Sequence, residues 1–580
     1  MAQKLELKWI GKDERIAVEN RILIENKLLS HKADGSSLFE EGFDDNLLIH
    51  GDNLLALRSI KNDYHGKIKC IYIDPPYNTG SAFEHYDDNV EHSTWLSLMS
   101  ERLKLLRDLL TTDGCIFIQI DYNEQAYLKV LCDEIFGRGN FVTMITCKVK
   151  APSGIASGTN AFFDCSEYIL VYAKSKIDFV FNPIKVDSAV IGPKSPTVTN
   201  VYNQNILKWV DDFHDFSTFE DVEIKEMNMD GFECVTIPRS ERTEETYYKQ
   251  YQNVFRIAAI SGGRDLKILA HVKSLPNYDK NKIYSYSYVA SQGKNKGKRI
   301  TNYIYKGGNI LFLRDFVRVD DEKRQVFKQD IITNIFYNDW WQGLTNEGGV
   351  DFKNGQKPEK LIETLLKVVT KEGDIVLDSF LGSGTTCAAA HKMRRRWIGI
   401  EMGDHAYTHC KKRLDSVIDG LDPTGITRSQ EWNKGGGYHF YELAPTLINS
   451  DSFGEPIINK EYNGDMLAAA VALHEGFKYM PDEKIFWKQS KSNENAYLFV
   501  TTAHVTVNII KEIESQMAEG EYLVVACKSF EKQASSISER IKIKKIPQML
   551  LGKCEFGKNN YNLNIVNPPV YEDEEENVDE

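Results

Sequence analysis

The run Ile71-Tyr72-Ile73-Asp74-Pro75-Pro76-Tyr77 decides how this chain is read. Three residues of strand-forming type end abruptly at a carboxylate, two prolines and an aromatic ring. Proline holds φ near about −65° and removes an amide hydrogen, so the strand stops here and the Pro75 carbonyl keeps its lone pairs for a ligand. Asp74, Pro75, Pro76 and Tyr77 therefore offer a small planar amine a charged acceptor, a neutral acceptor and a stacking face. The stack contributes roughly 1–3 kcal/mol. For the tetrapeptide alone, a plain strand-ending turn is the alternative.

A second stretch far downstream complements the first. Asp374-Ile375-Val376-Leu377-Asp378-Ser379-Phe380-Leu381-Gly382-Ser383-Gly384-Thr385-Thr386, followed by Ala388-Ala389-Ala390, predicts a buried strand, a glycine turn and a closely packed helix. Glycines admit a ligand close to the backbone, and the helix start presents unpaired N–H groups. A dinucleotide loop would carry a third glycine where Cys387 stands, and a phosphate loop would end in Gly-Lys-Ser/Thr. The next strand, Arg396-Trp397-Ile398-Gly399-Ile400-Glu401, ends in an acid about 20 residues on, where a ribose diol is commonly held. S-adenosylmethionine has a ribose and an amino-acid carboxylate but no phosphate, and fits this loop better than a nucleotide does. Asp378, Phe380, Gly382, Ser383, Gly384, Thr385, Thr386 and Glu401 are the expected cofactor residues, with Phe380 and the glycine turn at the methionine end and Glu401 at the ribose.

A third piece, Leu47-Leu48-Ile49-His50-Gly51-Asp52-Asn53-Leu54-Leu55, is another short strand closed by Gly-Asp. Asp52 suits a hydrogen bond from the adenine amino group of the cofactor; a turn with a helix cap is the more ordinary reading.

With their flanks, these pieces resemble the adenine-specific DNA methyltransferases of the beta order, most closely the modification subunits of type III restriction systems. The resemblance is carried by Trp9-Ile10-Gly11-Lys12, Gly51-Asp52-Asn53, Asp74-Pro75-Pro76-Tyr77-Asn78-Thr79-Gly80 and Phe117-Ile118-Gln119-Ile120-Asp121. It continues through Glu167-Tyr168-Ile169-Leu170-Val171-Tyr172-Ala173-Lys174, Lys357-Pro358 and Phe380-Leu381-Gly382-Ser383-Gly384-Thr385-Thr386, covering most of residues 1 to 430. Leu381 stands where relatives often carry alanine, and should crowd the loop slightly. The resemblance implies an α/β fold, a Rossmann-like S-adenosylmethionine-dependent methyltransferase sheet with an inserted target-recognition domain and a small C-terminal α/β domain. It further implies that Asp before Pro-Pro favours adenine N6 over cytosine N4, that double-stranded DNA is the substrate, and that the chain acts as a homodimer. Without a Gly-x-x-x-x-Gly-Lys-Ser/Thr loop here, any translocation or cleavage would belong to a separate helicase-nuclease restriction subunit. Cytosine-N4 methylation, RNA methylation, and a mainly sequence-reading role in a restriction complex stay open beside adenine methylation.

Bulk properties set limits. The 580 residues are 42% hydrophobic, enough for several domains, and no run approaches the roughly 18 apolar residues of a membrane span. The first residues lack a signal-peptide core, and ten cysteines without a C-x-x-C pair fit a reducing cytoplasm. His405, His409 and Cys410 lack the further ligands a metal site needs, so no metal is expected. The net charge of −13 argues against indiscriminate nucleic-acid coating. It is unevenly spread, with an acidic tail from Glu572 and a basic stretch from Arg264 to Arg318.

Five regions are expected: an N-terminal arm (1–45), the amine-binding half of the catalytic domain (46–174), a target-recognition insert (175–335), the cofactor-binding half (336–430), and a C-terminal interaction domain with the acidic tail (431–580). Gly435-Gly436-Gly437 reads as a hinge or loop before the last. In the insert, tyrosines interleave with lysines around Gly293-Lys294-Asn295-Lys296-Gly297-Lys298-Arg299. Lys294, Lys296, Lys298, Arg299, Tyr303 and Lys306 are the expected DNA contacts. A β-rich surface with a solvated hairpin is the alternative.

Overall fold

The computed structural model describes residues 6–13, 18–33, 45–78, 92–150, 164–260, 262–290, 297–337, 340–341, 344–352, 355–492, 495–551, 553–554 and 556. They divide into two compact units, one formed by Met1–Asn182 with Asn334–Glu580 and the other by Pro183–Thr333.

The first unit is organised by an 11-stranded sheet: β1 (Leu23–Glu25), β2 (His31–Lys32), β3 (Asn46–His50), β4 (Ile68–Ile73), β5 (Leu110–Ile120), β6 (Phe141–Lys148), β7 (Ser166–Ala173), β8 (Ile335–Phe336), β9 (Ile375–Asp378), β10 (Arg396–Glu401) and β11 (Gly437–Leu443). Their spatial order is β1-β11-β3-β10-β9-β4-β5-β7-β6-β8, with β2 paired to β11. From β11 to β5 neighbours run parallel, and β7 is antiparallel to both β5 and β6. Most residues of the central strands are buried, which is why those strands read as largely apolar runs.

Those helices follow from their sequences. Helix α1 (Asn53–Tyr64) starts at Asp52, whose side chain accepts from the amides of Leu54 and Leu55. Helix α2 (His92–Leu109) turns Trp95, Leu96, Met99, Leu103 and Leu106 onto the sheet at helical spacing. Helix α3 (Tyr122–Cys132) is capped by Asp121. Helix α4 (Glu359–Val369) begins after Pro358, and the alanines of helix α5 (Thr385–Lys392) are fully buried. No described helix is long and apolar enough to cross a membrane.

Gly437 opens β11, which pairs with β3 in the main sheet, so the glycine triplet leads into a strand of that sheet rather than forming a hinge after it. Local sequence misses this because Gly437-Tyr438-His439-Phe440-Tyr441-Glu442-Leu443 mixes polar and apolar residues instead of forming an apolar run, and its partner β3 lies far away in the chain. Beyond it, a five-stranded sheet carries the parallel strands Ala496–Val505, Tyr522–Phe530 and Ile541–Lys545, covered by helices Gly464–Glu475 and Val507–Gln516.

The second unit is antiparallel. Eight strands form its larger sheet, including the hairpin Tyr284–Val289 and Arg299–Tyr305, in which Tyr284 stands opposite Ile304. Helix Gly263–Ser274 places Ile268, Leu269 and Val272 against Tyr284, Tyr286 and Ile304. Those tyrosines are core residues.

Candidate active site

Strands β4 and β9 are neighbours, with Val376 opposite Cys70 and Leu377 opposite Ile71. The Asp74 turn and the Phe380–Gly384 turn therefore leave the sheet side by side at its carboxyl edge, where parallel sheets bind ligands. Segments far apart in the chain meet because their strands are adjacent.

The first turn is held from several elements. Pro75 is buried, and the carbonyl of Pro76 accepts from Trp95 Nε1 at 2.8 Å. Tyr77 Oη lies 2.7 Å from Asp74 Oδ1 and 3.0 Å from Glu167 Oε2 on β7. Glu167 also accepts from Gln119, whose side-chain carbonyl accepts from Tyr72. Lys357 Nζ, just before α4, lies 2.6 Å from Asp74 Oδ2 and 5.3 Å from the centre of the Tyr77 ring. Burial pushes the Asp74 carboxyl up, Lys357 opposes this, and the result is a raised pKa. Burial likewise drives the Tyr77 hydroxyl well above its ordinary range.

The glycine turn is built largely from its own side chains. Asp378 accepts from the Phe380 amide at 2.9 Å and from Thr386 Oγ1 at 2.6 Å. Ser383 and Thr385 hydroxyls meet at 3.0 Å, and Arg413 donates to Thr385 at 2.8 Å. Glu401 accepts from the amides of Gly382 at 2.7 Å and Gly403 at 2.9 Å. Gly382 and Gly384 both take positive φ, which a side chain would strain. Phe380 and Gly382 are the partly exposed members. Buried among other acids, Asp378 is pushed up to about 7, burial being the main cause.

These contacts also give several of the expected site residues partners within the protein. Asp52 is 4% exposed, spends one oxygen on the α1 cap, and gives the other to Arg102 Nη2 at 3.1 Å. The helix-cap reading therefore holds, and Asp52 is also paired with Arg102. Asp378, Ser383, Thr385 and Thr386 likewise use their side chains to shape the turn. Arg102 also bonds Asn53, whose amide donates to the Ser379 carbonyl at 2.7 Å, tying the first turn of α1 to the glycine turn.

The expected DNA contacts lie in the second unit. Lys294 and Lys296 fall outside the described residues, and Lys298 is exposed. Arg299 pairs with Glu223 two strands away in the sheet, Lys282 with Glu226, and Arg264 with Asp221. The basic stretch is thus partly neutralised by acids distant in sequence. Tyr303 is half-buried in an aromatic cluster, its ring centre 5.2 Å from that of Trp209 and 6.1 Å from that of Phe213. Lys306 is an exposed hairpin residue 5.0 Å from its neighbour's ring, Tyr305. Among the described residues no group of three His, Cys, Asp or Glu could hold a metal ion.

Sequence reasoning missed Arg102, Arg413 and the placement of Lys357 and Glu167. The last two lay within quoted motifs, but only the sheet order reveals that they converge on Asp74.

The chain is 38% identical over 420 residues to the probable type III restriction-modification enzyme HindVI Mod subunit of Haemophilus influenzae, covering 69% of this chain and 54% of the relative. It is 28% identical over 428 residues to the type III EcoPI Mod subunit of Escherichia phage P1, covering 67% and 61%. With the type III EcoP15I Mod subunit of Escherichia coli, identity is 26% over 546 residues, covering 82% and 78%. This chain thus spans less than two thirds of the first two relatives. The M1.HpyAVI–SAM crystal structure aligns to 63% of this chain and 100% of its own at 15% identity, with a TM-score of 0.29. The family model described as DNA methylase matches residues 68–412, more than half of the sequence, and the chain belongs to that family.

Proposed function

We propose that the protein is a site-specific DNA methyltransferase that moves a methyl group from S-adenosylmethionine to N6 of an adenine turned out of duplex DNA, as the modification subunit of a type III-like restriction system. The observation that carries this reading is the pairing of β4 with β9, which sets the amine-binding turn beside the glycine turn. The carboxyl edge suits a sulfonium cation, because Asp74, Asp378 and Glu401 gather there and residues 378–387 include no Lys or Arg to attract a phosphate. Phe380, Gly382, Gly384 and Glu401 would hold this donor, which supplies an electrophilic methyl group when bound.

The adenine amine is a poor nucleophile because its lone pair is delocalised into the ring. Asp74 accepts one N6–H and the Pro75 carbonyl the other, turning the lone pair out of the ring plane. The negative charge of Asp74 stabilises the ammonium character that develops as nitrogen bonds to the methyl carbon and the carbon–sulfur bond breaks, and the surplus N6 proton is then released to solvent. Holding the reactants about 3–3.5 Å apart contributes much of the rate. Extrusion of the base costs a few kcal/mol, which stacking on Tyr77 partly offsets. The second unit is assigned target recognition, the assembly a homodimer that can recruit a helicase-nuclease subunit, and the compartment the cytoplasm.

The decisive experiment maps methylated bases in DNA from cells producing the wild type and Asp74→Ala. N6-methyladenine at one sequence, lost in the variant while cofactor affinity persists, supports the reading. N4-methylcytosine, methylated RNA alone, or full activity in Asp74→Ala overturns it.

A further inference from the structure

We propose that Lys357 and Glu167 are opposed positioning residues that act through Asp74, the lysine holding it as the acceptor the target amine meets and the glutamate working against it. This rests on the methyltransferase reading and adds two residues to its chemistry.

The contacts are direct on one side and relayed on the other. Lys357 Nζ is 2.6 Å from Asp74 Oδ2, and the two side chains are 12% and 19% exposed, so water screens the pair little. Each carboxylate oxygen has two acceptor sites, so Oδ2 can still accept from an amine. On the other side, the Tyr77 hydroxyl stands between Asp74 Oδ1 and Glu167 Oε2. It has one hydrogen for two carboxylates, so any share Glu167 takes is lost to Asp74.

Other groups face the same carboxylate. Tyr72 on β4 and Asp378 on β9 are electrostatically coupled to Asp74, and Cys147 on β6 is coupled to Lys357 and Glu167. Among the described residues, Lys357 is the cation in contact with Asp74. Burial favours the neutral acid at Asp74, the Glu167 charge pushes the same way, and Lys357 opposes both. Burial also pulls the lysine down, but Asp74 and Glu167 outweigh it and its pKa is raised, so it stays a cation through the neutral range.

A protonated Asp74 could neither accept from N6 nor stabilise the developing ammonium. Activity should therefore rise with pH as Asp74 ionises, and the two neighbours should move that rise in opposite directions. Lys357→Met should displace the acid limb to higher pH, Glu167→Gln to lower pH, and Lys357→Arg should restore the wild-type position.

The test is the pH dependence of the single-turnover rate, with saturating S-adenosylmethionine labelled in its methyl group and saturating DNA from a strain without adenine methylation. On the acid side Lys357→Met should lose roughly tenfold or more relative to its own alkaline plateau. Glu167→Gln should gain on the acid side. Equal loss at every pH, an unmoved limb in Lys357→Met, or displacement of both variants in one direction overturns the proposal. A limb belonging to Asp378 would disappear in Asp378→Asn, whereas one belonging to Asp74 persists there. Failure of the underlying reading looks different, since the wild type would then transfer no methyl group to DNA at any pH.

Discussion

Leu381 rests against Gly399 where a side chain would otherwise stand. A Cβ on Gly399 would lie 2.6 Å from Leu381 Cδ2 and 2.8 Å from Cys387 Sγ. The leucine that should crowd the glycine turn is thus accommodated by a residue of β10 that has no side chain. Gly399→Ala should overpack this corner and lower stability by about 1–3 kcal/mol. Gly399→Ala with Leu381→Ala should recover part of that loss in chemical unfolding. An additive double variant would break the link between the two positions.

Arg102 and Asp52 make a second link beneath the active edge, with side chains 3% and 2% exposed. Removing one partner leaves a buried charge, so Arg102→Ala should lose about 3–5 kcal/mol in urea unfolding. Asp52→Asn keeps an oxygen for the α1 cap and should bind S-adenosylmethionine within a few-fold of the wild type by calorimetry. A large loss of affinity in soluble, folded Asp52→Asn would return Asp52 to the cofactor.

Much of this arrangement was legible from local sequence. The strand ending at Ile73, the strand ending at Asp378 and the acid-tipped strand ending at Glu401 are short apolar runs closed by turn residues, and β4 and β9 are neighbours. What local reading cannot supply is the partner of a polar side chain. Gly-Asp before a helix looks the same whether or not the acid caps the helix, and at Asp52 the cap is made. Lysines and arginines between Arg264 and Arg318 outnumber acids along the chain, yet Asp221, Glu223 and Glu226 reach several of them across strand and helix contacts. Tyrosine alternation in a hairpin announces two faces without saying that Tyr284 and Tyr286 occupy the covered one.

Arg413 connects the glycine turn to the segment that carries Lys357. Its guanidinium donates at 2.8 Å both to Thr385 Oγ1 and to Glu359 Oε1, and Glu359 also binds Lys392, the latter pair fully buried. Arg413→Met should both destabilise the fold, by about 3–5 kcal/mol for a broken buried pair, and loosen the turn. Affinity for S-adenosylmethionine should fall severalfold in the folded variant, measured by calorimetry below its unfolding temperature. Unchanged affinity would confine Arg413 to stability.

Asp378 makes the stability of the cofactor-free protein depend on pH. Its side chain is 2% exposed, and burial with Asp74 and Glu401 nearby pushes its carboxyl up to about 7, against hydrogen bonds from Thr386 and Phe380 that pull it down. An unfolded aspartate titrates at about 3.9, so the folded state holds this proton more tightly than the unfolded state. The contribution is fully present below the unfolded value and is lost as pH rises towards about 7. Other carboxylates act in the opposite sense, so the informative quantity is the difference between wild type and Asp378→Asn. The amide still accepts from Phe380 but carries no titrating proton. Relative to this variant, the wild type should lose stability as pH rises from about 4 to 7, by a few kcal/mol at most, since a tenfold difference in proton affinity between folded and unfolded states is worth about 1.4 kcal/mol. Unfolding midpoints across that range, without S-adenosylmethionine, supply the comparison. A sulfonium cation at this edge would favour the ionised carboxylate, so saturating cofactor should flatten the difference. Parallel curves for the two proteins would show that Asp378 does not titrate where its burial places it.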